Sequence, residues 1–267
     1  MAGWRMDLSY VTILVADDGE VRTITLNRPE RRNAMTPEMQ VELIAAMEEA
    51  AVSSCRVVVL RGAGDAFCSG LDLAALQGME DKSAAEHTAD VERIGRLFRT
   101  LYELPKPTIA AVHGAAIAGG TGLATICDFT LAVPAAKFGY TEVRIGFVPA
   151  IVSAWLVRQI GEKAARDLLF TGRIVSADEA LRIGLITEAV APARLLERAH
   201  ELALQLLKNS PASLVATKRL LNGYSERDLQ WQLEAAIEAN AAIRATEDFR
   251  EGISSFLEKR EPKWSAG

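Results

Sequence analysis

Apolar and polar positions alternate in two short runs near the start of the chain, Tyr10 to Ala16 and Val21 to Leu26, separated by Asp17-Asp18-Gly19-Glu20. Alternation broken by a glycine-containing turn predicts a β-hairpin. Thr36-Pro37 opens a helix, with Thr as N-cap and Pro at the first helical position. Met39, Leu43, Met47 and Ala50 follow at helical spacing, which buries one face. Val57 to Leu60 is an unbroken apolar run, the pattern of a strand covered on both faces, and Gly62-Ala63-Gly64 ends it. The polar stretch over 78–92 is expected to be a mobile loop, followed by a helix that continues through Leu101 and stops before Pro105. Thr108 to Val112 and Phe129 to Val133 are two more buried strands, the first leading into a glycine-rich turn and a helix. A helix over 151–160 is closed by Gly161. Ser176-Ala177-Asp178-Glu179 reads as a capping box whose helix ends at Gly184. From Ala193 onward the pattern is helical, near 193–208, 211–222, 227–244 and 246–260. The chain is therefore an α/β core with a parallel sheet over residues 1–192 and a helical C-terminal region over 193–267.

Composition narrows the function classes. The chain has 267 residues, 49% apolar and 24% charged, which excludes a disordered or low-complexity protein. Its net charge of −5 leaves no general footprint for nucleic acid. Cys55, Cys68 and Cys127 are odd in number and lack C-x-x-C spacing, so a reducing, cytoplasmic setting fits better than a disulfide framework or a zinc knot. Pro107 to Cys127 holds no Asp, Glu, Lys or Arg, yet Pro107 and four glycines make it a strand, a turn and a buried helix rather than a membrane span. The opening MAGWRMDLSY has no apolar stretch of the kind a secretory signal needs.

Several motifs fail. Gly62-Ala63-Gly64 imitates a dinucleotide fingerprint, but Phe67 stands where the third glycine belongs. Phe67 also occupies the glycine position of a nucleophile elbow before Ser69. His87, His113 and His200 are dispersed, so no metal is expected; His113, at a strand end, is expected to bond to backbone.

Chemistry concentrates in three segments. Ala66-Phe67-Cys68-Ser69-Gly70-Leu71-Asp72-Leu73 and His113 to Gly122 each follow a buried strand and carry glycine-relieved turns. Two such turns at the ends of parallel strands can aim backbone N–H groups into one crevice, where they suit a carbonyl oxygen gaining negative charge. The helix after Gly119-Gly120 adds its N-terminal dipole. The third segment, Phe138 to Pro149, contains one carboxylate, Glu142, between apolar neighbours. Desolvation there makes its carboxyl tunable as an acid or base.

These residues resemble the crotonase, or enoyl-CoA hydratase/isomerase, superfamily. The likeness begins at Asn27-Arg28-Pro29…Asn33-Ala34 and runs through Ala66 to Leu73, Lys106 to Val112, and Gly114 to Asp128. It continues at Ala136 to Gly139, Leu169 to Gly172 and Ala180 to Leu185, and ends at Phe256 to Arg260, so it covers nearly the whole chain. The resemblance implies a spiral of ββα units whose C-terminal helices form a trimerisation region, with trimers pairing into hexamers. It implies an acyl-CoA thioester as ligand, in fatty-acid type metabolism, with no separate cofactor because CoA is part of the substrate. Leu71 and Gly119 match the positions whose backbone N–H groups form an oxyanion hole, and Glu142 matches a catalytic glutamate. Arg28, Ala66, Ser69, Gly70, Asp72, Leu73, Gly120, Thr141, Phe256 and Lys259 match positions that contact CoA or the acyl chain. Arg31 and Arg32 add positive charge beside Arg28, and the C-terminal residues often serve a neighbouring subunit.

One departure matters. Typical hydratases of this superfamily hold water between two glutamates, and the first of them would stand at Gly122. Glycine there is shared with single-carboxylate isomerases. It is shared too with members resembling methylglutaconyl-CoA hydratases, which the stretch Thr141 to Ser153 also resembles. A substitute acid is sought at Glu80, Asp81, Glu86 or Glu92. The leading expectation is a lyase that adds water to a 2-enoyl-CoA. An isomerase using Glu142 alone and a catalytically silent acyl-CoA-binding protein are the alternatives. Gly122→Glu is expected to raise hydration relative to isomerisation, if the helix tolerates the added side chain. The apolar residues of the last helices, Trp231, Phe256 and Leu257 among them, predict a trimer or a hexamer by light scattering at micromolar concentration. A 28.9 kDa particle would contradict that expectation.

Overall fold

The hairpin forms where alternation places it, shifted at its outer end. In the computed structural model, which describes residues 10–78 and 83–265, β1 (Ile13–Asp18) pairs antiparallel with β2 (Val21–Leu26) around Gly19 at φ 59°. Thr36 accepts a hydrogen bond from Met39 N–H and caps α1 (Pro37–Val52), which buries Met39, Leu43, Met47 and Ala50. Next come β3 (Val57–Gly62), β4 (Ala66–Cys68), the short α2 (Leu73–Gln77) and α3 (Ala84–Glu103). The expected loop over 78–92 is thus corrected. Ser83 and Glu86 form a reciprocal capping box, Ser83 N–H donating to the Glu86 carboxylate at 2.8 Å, and the polar residues beyond it are the wet face of α3. Glu80 and Asp81 lie outside the described residues.

The rest of the core repeats one unit. β5 (Thr108–Val112) leads to β6 (Ala115–Ile117) and α4 (Gly119–Ile126); β7 (Phe129–Ala132) leads to β8 (Lys137–Gly139) and α5 (Ala150–Thr171). β9 (Ile174–Ser176), α6 (Ala177–Arg182) and β10 (Glu188–Ala189) complete it. The helix expected to close at Gly161 does break there, at φ 76° and ψ 161°, before helical structure resumes. Each turn gives one strand to a six-stranded sheet, ordered β1-β2-β3-β5-β7-β10, and one to a four-stranded sheet, ordered β4-β6-β8-β9. Pairing is parallel in both, except at β1–β2 and β8–β9. This is the α/β spiral that the resemblance implied.

Between the two sheets runs α4. It touches β5 and β7 on one side and β4 and β6 on the other, and all eight of its residues are buried. That environment explains a charge-free sequence from Pro107 to Cys127 without any bilayer. Among the described residues, no helix is long and apolar enough to cross a membrane.

The C-terminal region supplies α7 (Leu195–Leu207), α8 (Pro211–Gly223), α9 (Glu226–Ile243) and α10 (Glu247–Leu257). α7 packs on β3, β5 and β7, and α9 packs on α3 and α5. α10 packs on α2 and on the 3-10 turn Glu142–Ile145. Phe147 and Phe249 stack there with ring centroids 5.2 Å apart.

Candidate active site

The two glycine turns meet. A Cβ added to Gly70 would lie 2.9 Å from Ala118 Cβ and 3.5 Å from Gly119 N, so the first turn rests on the start of α4. Ser69 N–H donates to Arg32 O, Met35 N–H to Gly70 O, and Asp72 N–H to Met35 O. This ladder uses the groups on either side of Leu71 and leaves the Leu71 N–H without a backbone partner among the described residues. Gly119 is the first residue of α4, where the intrahelical ladder supplies no acceptor for its N–H. Both residues line one cavity of about 250 Å³.

Asn33 anchors the ladder. Fully buried at φ 55°, it accepts from Arg28 N–H through Oδ1 and donates through Nδ2 to Ala63 O and Ala66 O, each at 2.9 Å. The sequence reading gave it no role. An asparagine five residues after Arg28, in a turn where few side chains tolerate positive φ, was the available signal.

Glu142 opens the 3-10 turn and lines the same cavity. It is 7% exposed, and its Oε2 has no hydrogen-bond partner. Burial pushes the carboxyl up to about 7, opposed only by its own backbone N–H. Ser69, Leu73, Thr141 and Phe256 also line the cavity, so residues from four distant parts of the sequence converge on it. Phe256 does so from its own chain, because α10 folds back over the site.

The other candidates sit off the cavity. Arg28 donates to Asp72 at 3.0 Å and to Ala34 O, and Asp72 accepts from Ala74 and Ala75 N–H as the N-cap of α2. The pair braces the turn from behind. Ala66 lies in β4, and Gly70 and Gly120 form the contact between turn and helix. Lys259 is exposed just beyond α10. Arg32, not Arg28, reaches the cavity wall. Of the substitute acids within the described residues, Glu86 is held by its capping box and Glu92 is exposed; neither lines the cavity. Ile94, Phe98, Val152 and Asn240, none of them singled out from sequence, do.

His113 Nε2 donates to Gly64 O at 2.8 Å, the expected backbone bond. Cys55, Cys68 and Cys127 are buried and unpaired, and burial pushes the Cys68 and Cys127 thiols up to about 12. None of the three lines the cavity. Among the described residues no group of three or more His, Cys, Asp or Glu has the arrangement to hold a metal ion.

A spiral α/β core thus places two free N–H groups and one desolvated carboxyl around an apolar cavity. Comparison with known proteins shows the family. A family model described as enoyl-CoA hydratase/isomerase matches residues 17–267. A Thermus thermophilus protein, provisionally named an enoyl-CoA hydratase, is 46% identical over 93% of this chain and 98% of its own length. The short-chain-enoyl-CoA hydratase of Clostridium acetobutylicum is 33% identical over 93% and 95%. The crystal structure of an enoyl-CoA hydratase/isomerase from Xanthobacter autotrophicus superposes with a TM-score of 0.88 at 32% identity, covering 97% of this chain and all of that one. The chain belongs to the enoyl-CoA hydratase/isomerase family, and so to the crotonase superfamily of enzymes.

Position 122 is closed to an acid. A Cβ there would lie 2.5 Å from Val152 Cγ1 and 3.1 Å from Phe98 Cε1. The condition on which Gly122→Glu is expected to raise hydration relative to isomerisation, room for the side chain, is therefore not met. Gly122→Glu should destabilise the fold by roughly 3 kcal/mol or more, from overpacking plus a buried unpaired charge, read by urea denaturation. Adding Val152→Gly should recover part of that loss.

Proposed function

We propose that this enzyme hydrates a 2-enoyl-CoA, with Glu142 as its one acid–base group. The observation that carries the reading is the desolvated, half-unpartnered Glu142 carboxyl facing the same cavity as the Leu71 and Gly119 N–H groups. The thioester carbonyl oxygen accepts from those two donors. The Glu142 carboxylate takes a proton from water as the water oxygen bonds to C3. The C2=C3 electron pair moves toward the thioester and forms an enolate whose charge rests on the held oxygen. Glu142 then returns its proton to C2, so one carboxyl serves both steps and ends as it began. A pKa near 7 suits a group that must take and give a proton in one cycle.

A second reading draws on Gly122. With Phe98 and Val152 filling the place of a second acid, the cavity suits proton transfer from C2 to C4 by Glu142, as in an isomerase. Loss of crotonyl-CoA absorbance measures hydration, and conversion of a 3-enoyl-CoA to a 2-enoyl-CoA measures isomerisation. The faster reaction decides between the readings, and absence of both would leave an acyl-CoA-binding protein.

For the assembly, we take exposed Leu220, Leu221, Tyr224 and Trp231, on α8, the turn after it and α9, as the subunit contact of a trimer; Trp231 is 68% exposed. CoA itself would lie at the cavity mouth, near Arg32 and Phe256.

Glu142→Gln should lower turnover by at least ~10²-fold while acyl-CoA affinity changes little, because the donors and CoA contacts lie elsewhere. Unchanged turnover would remove the acid–base assignment. The wild-type kcat/KM should rise with pH to a plateau above about 7, since only the ionised carboxyl takes the proton from water. A profile flat between pH 5 and 8 would contradict a Glu142 base, in steady-state assays corrected for stability, on the pKa scale of a buried carboxyl.

A further inference from the structure

The buried face of α9 is a stripe of Leu229, Leu233 and Ala236 that breaks at Asn240. Asn240 is 4% exposed and lines the acyl cavity. Its Oδ1 accepts from Arg244 Nε at 3.2 Å, which fixes the amide: the carbonyl end faces Arg244, and the Nδ2 end is left to the cavity. No protein acceptor meets Nδ2 among the described residues. Nδ2 is open to the cavity rather than sealed in protein, so it is free to donate to a molecule bound there.

The charge behind this amide is positive. Arg244 donates through Nη1 to Asp90 Oδ2 at 2.8 Å, and Arg93 also pairs with Asp90. Two guanidiniums thus share one carboxylate. The Arg244 side chain is 1% exposed and its Nη2 is buried without a partner. Its guanidinium carbon sits 5.8 Å from the ring centre of Phe147, which is itself a wall of the cavity. The Asn240 side of the cavity therefore combines an idle donor with an under-neutralised buried cation. Glu142 is the one carboxylate among the residues lining the cavity.

We infer that the cavity selects acyl chains ending in a carboxylate, which accepts from Asn240 Nδ2 and is drawn by the Arg244–Asp90–Arg93 cluster. This rests on reading the cavity as the acyl site but not on which reaction occurs there. A carboxylate fits better than a neutral acceptor, because the buried guanidinium behind Asn240 attracts negative charge. Asn240 is then a specificity residue and Arg244 its positioning partner.

The test is titration calorimetry with glutaryl-CoA and hexanoyl-CoA, two saturated ligands of like shape that the enzyme does not turn over. The wild type should bind glutaryl-CoA ~10-fold more tightly, the scale of one charge-assisted hydrogen bond. Asn240→Leu should cut the ratio of the two affinities at least ~10-fold. Asn240→Asp keeps an acceptor for Arg244 and nearly the same shape, and should cut it further by setting carboxylate against carboxylate. The wild-type ratio needs no variant to fold. A wild-type ratio at or below one, or a ratio unchanged in a folded Asn240→Asp enzyme, would overturn the inference. Crotonyl-CoA hydration is scored separately. Hydration with a ratio near one sinks this inference alone, a high ratio without hydration or isomerisation sinks the proposed reaction alone, and binding of neither ligand sinks both.

Discussion

The site depends on a close approach of backbone to backbone. The Cys68–Leu71 segment lies against the first turn of α4, and at Gly120 even a methyl group would collide with Cys68 O. Glycine removes that obstacle, and the helix N-terminus comes close enough for its free N–H to share a cavity with that of Leu71. Just before it, Ala118 holds φ 54° and ψ −127°, a region that side chains other than glycine rarely enter. Its N–H donates to Gly139 O at 2.7 Å, and Thr121 Oγ1 donates to Ala116 O at 2.7 Å. Strain of about 1–3 kcal/mol at one residue is held by the sheet on which it sits. The placement of these two N–H groups is thus a property of the packed sheets, not of a flexible loop.

The same packing sets the chemistry of Glu142. Ile145, Phe147, Val148 and Val152 surround the cavity with apolar surface. No cation pairs with the Glu142 carboxyl, and its shift follows from lost water alone. A second carboxylate at 122 would face the same apolar walls and would repel the first. Phe98 and Val152 fill that place instead. Glu142 is left as the one carboxyl among the residues lining the cavity, and it favours its neutral form more than an exposed glutamate does.

Much of this was legible in the sequence, for identifiable reasons. Continuous apolar runs marked β3, β5 and β7 because they are covered on both faces. Thr36 and Ser176 marked helix starts because capping is a local interaction. Glu142 stood out as a lone carboxylate among apolar residues, and its burial is what that pattern means. The start of α3 was misplaced because polar composition was weighed above the Ser83–Glu86 box, whose two bonds are equally local. What stayed hidden was long-range. Nothing near Gly122 in the chain shows that Phe98 and Val152, on α3 and α5, close over it. Nor does the Arg28 turn reveal that Asp72 binds this arginine while Arg32 reaches the cavity.

The C-terminal helices add a further constraint. Had they only joined subunits, the cavity would be complete without them. Yet α9 brings Asn240 and α10 brings Phe256 to its wall, and α10 seats Phe249 on Phe147 beside the Glu142 turn. A Cβ at Gly146 or Gly252 would strike the backbone of the facing segment, so turn and helix touch without intervening side chains. α10 and the Glu142 turn are therefore packed as one unit. The desolvation that raises the Glu142 pKa is then shared between the spiral core and the helices that follow it. The Phe147 ring thus packs between the Arg244 guanidinium and the cavity, beside the turn that carries Glu142.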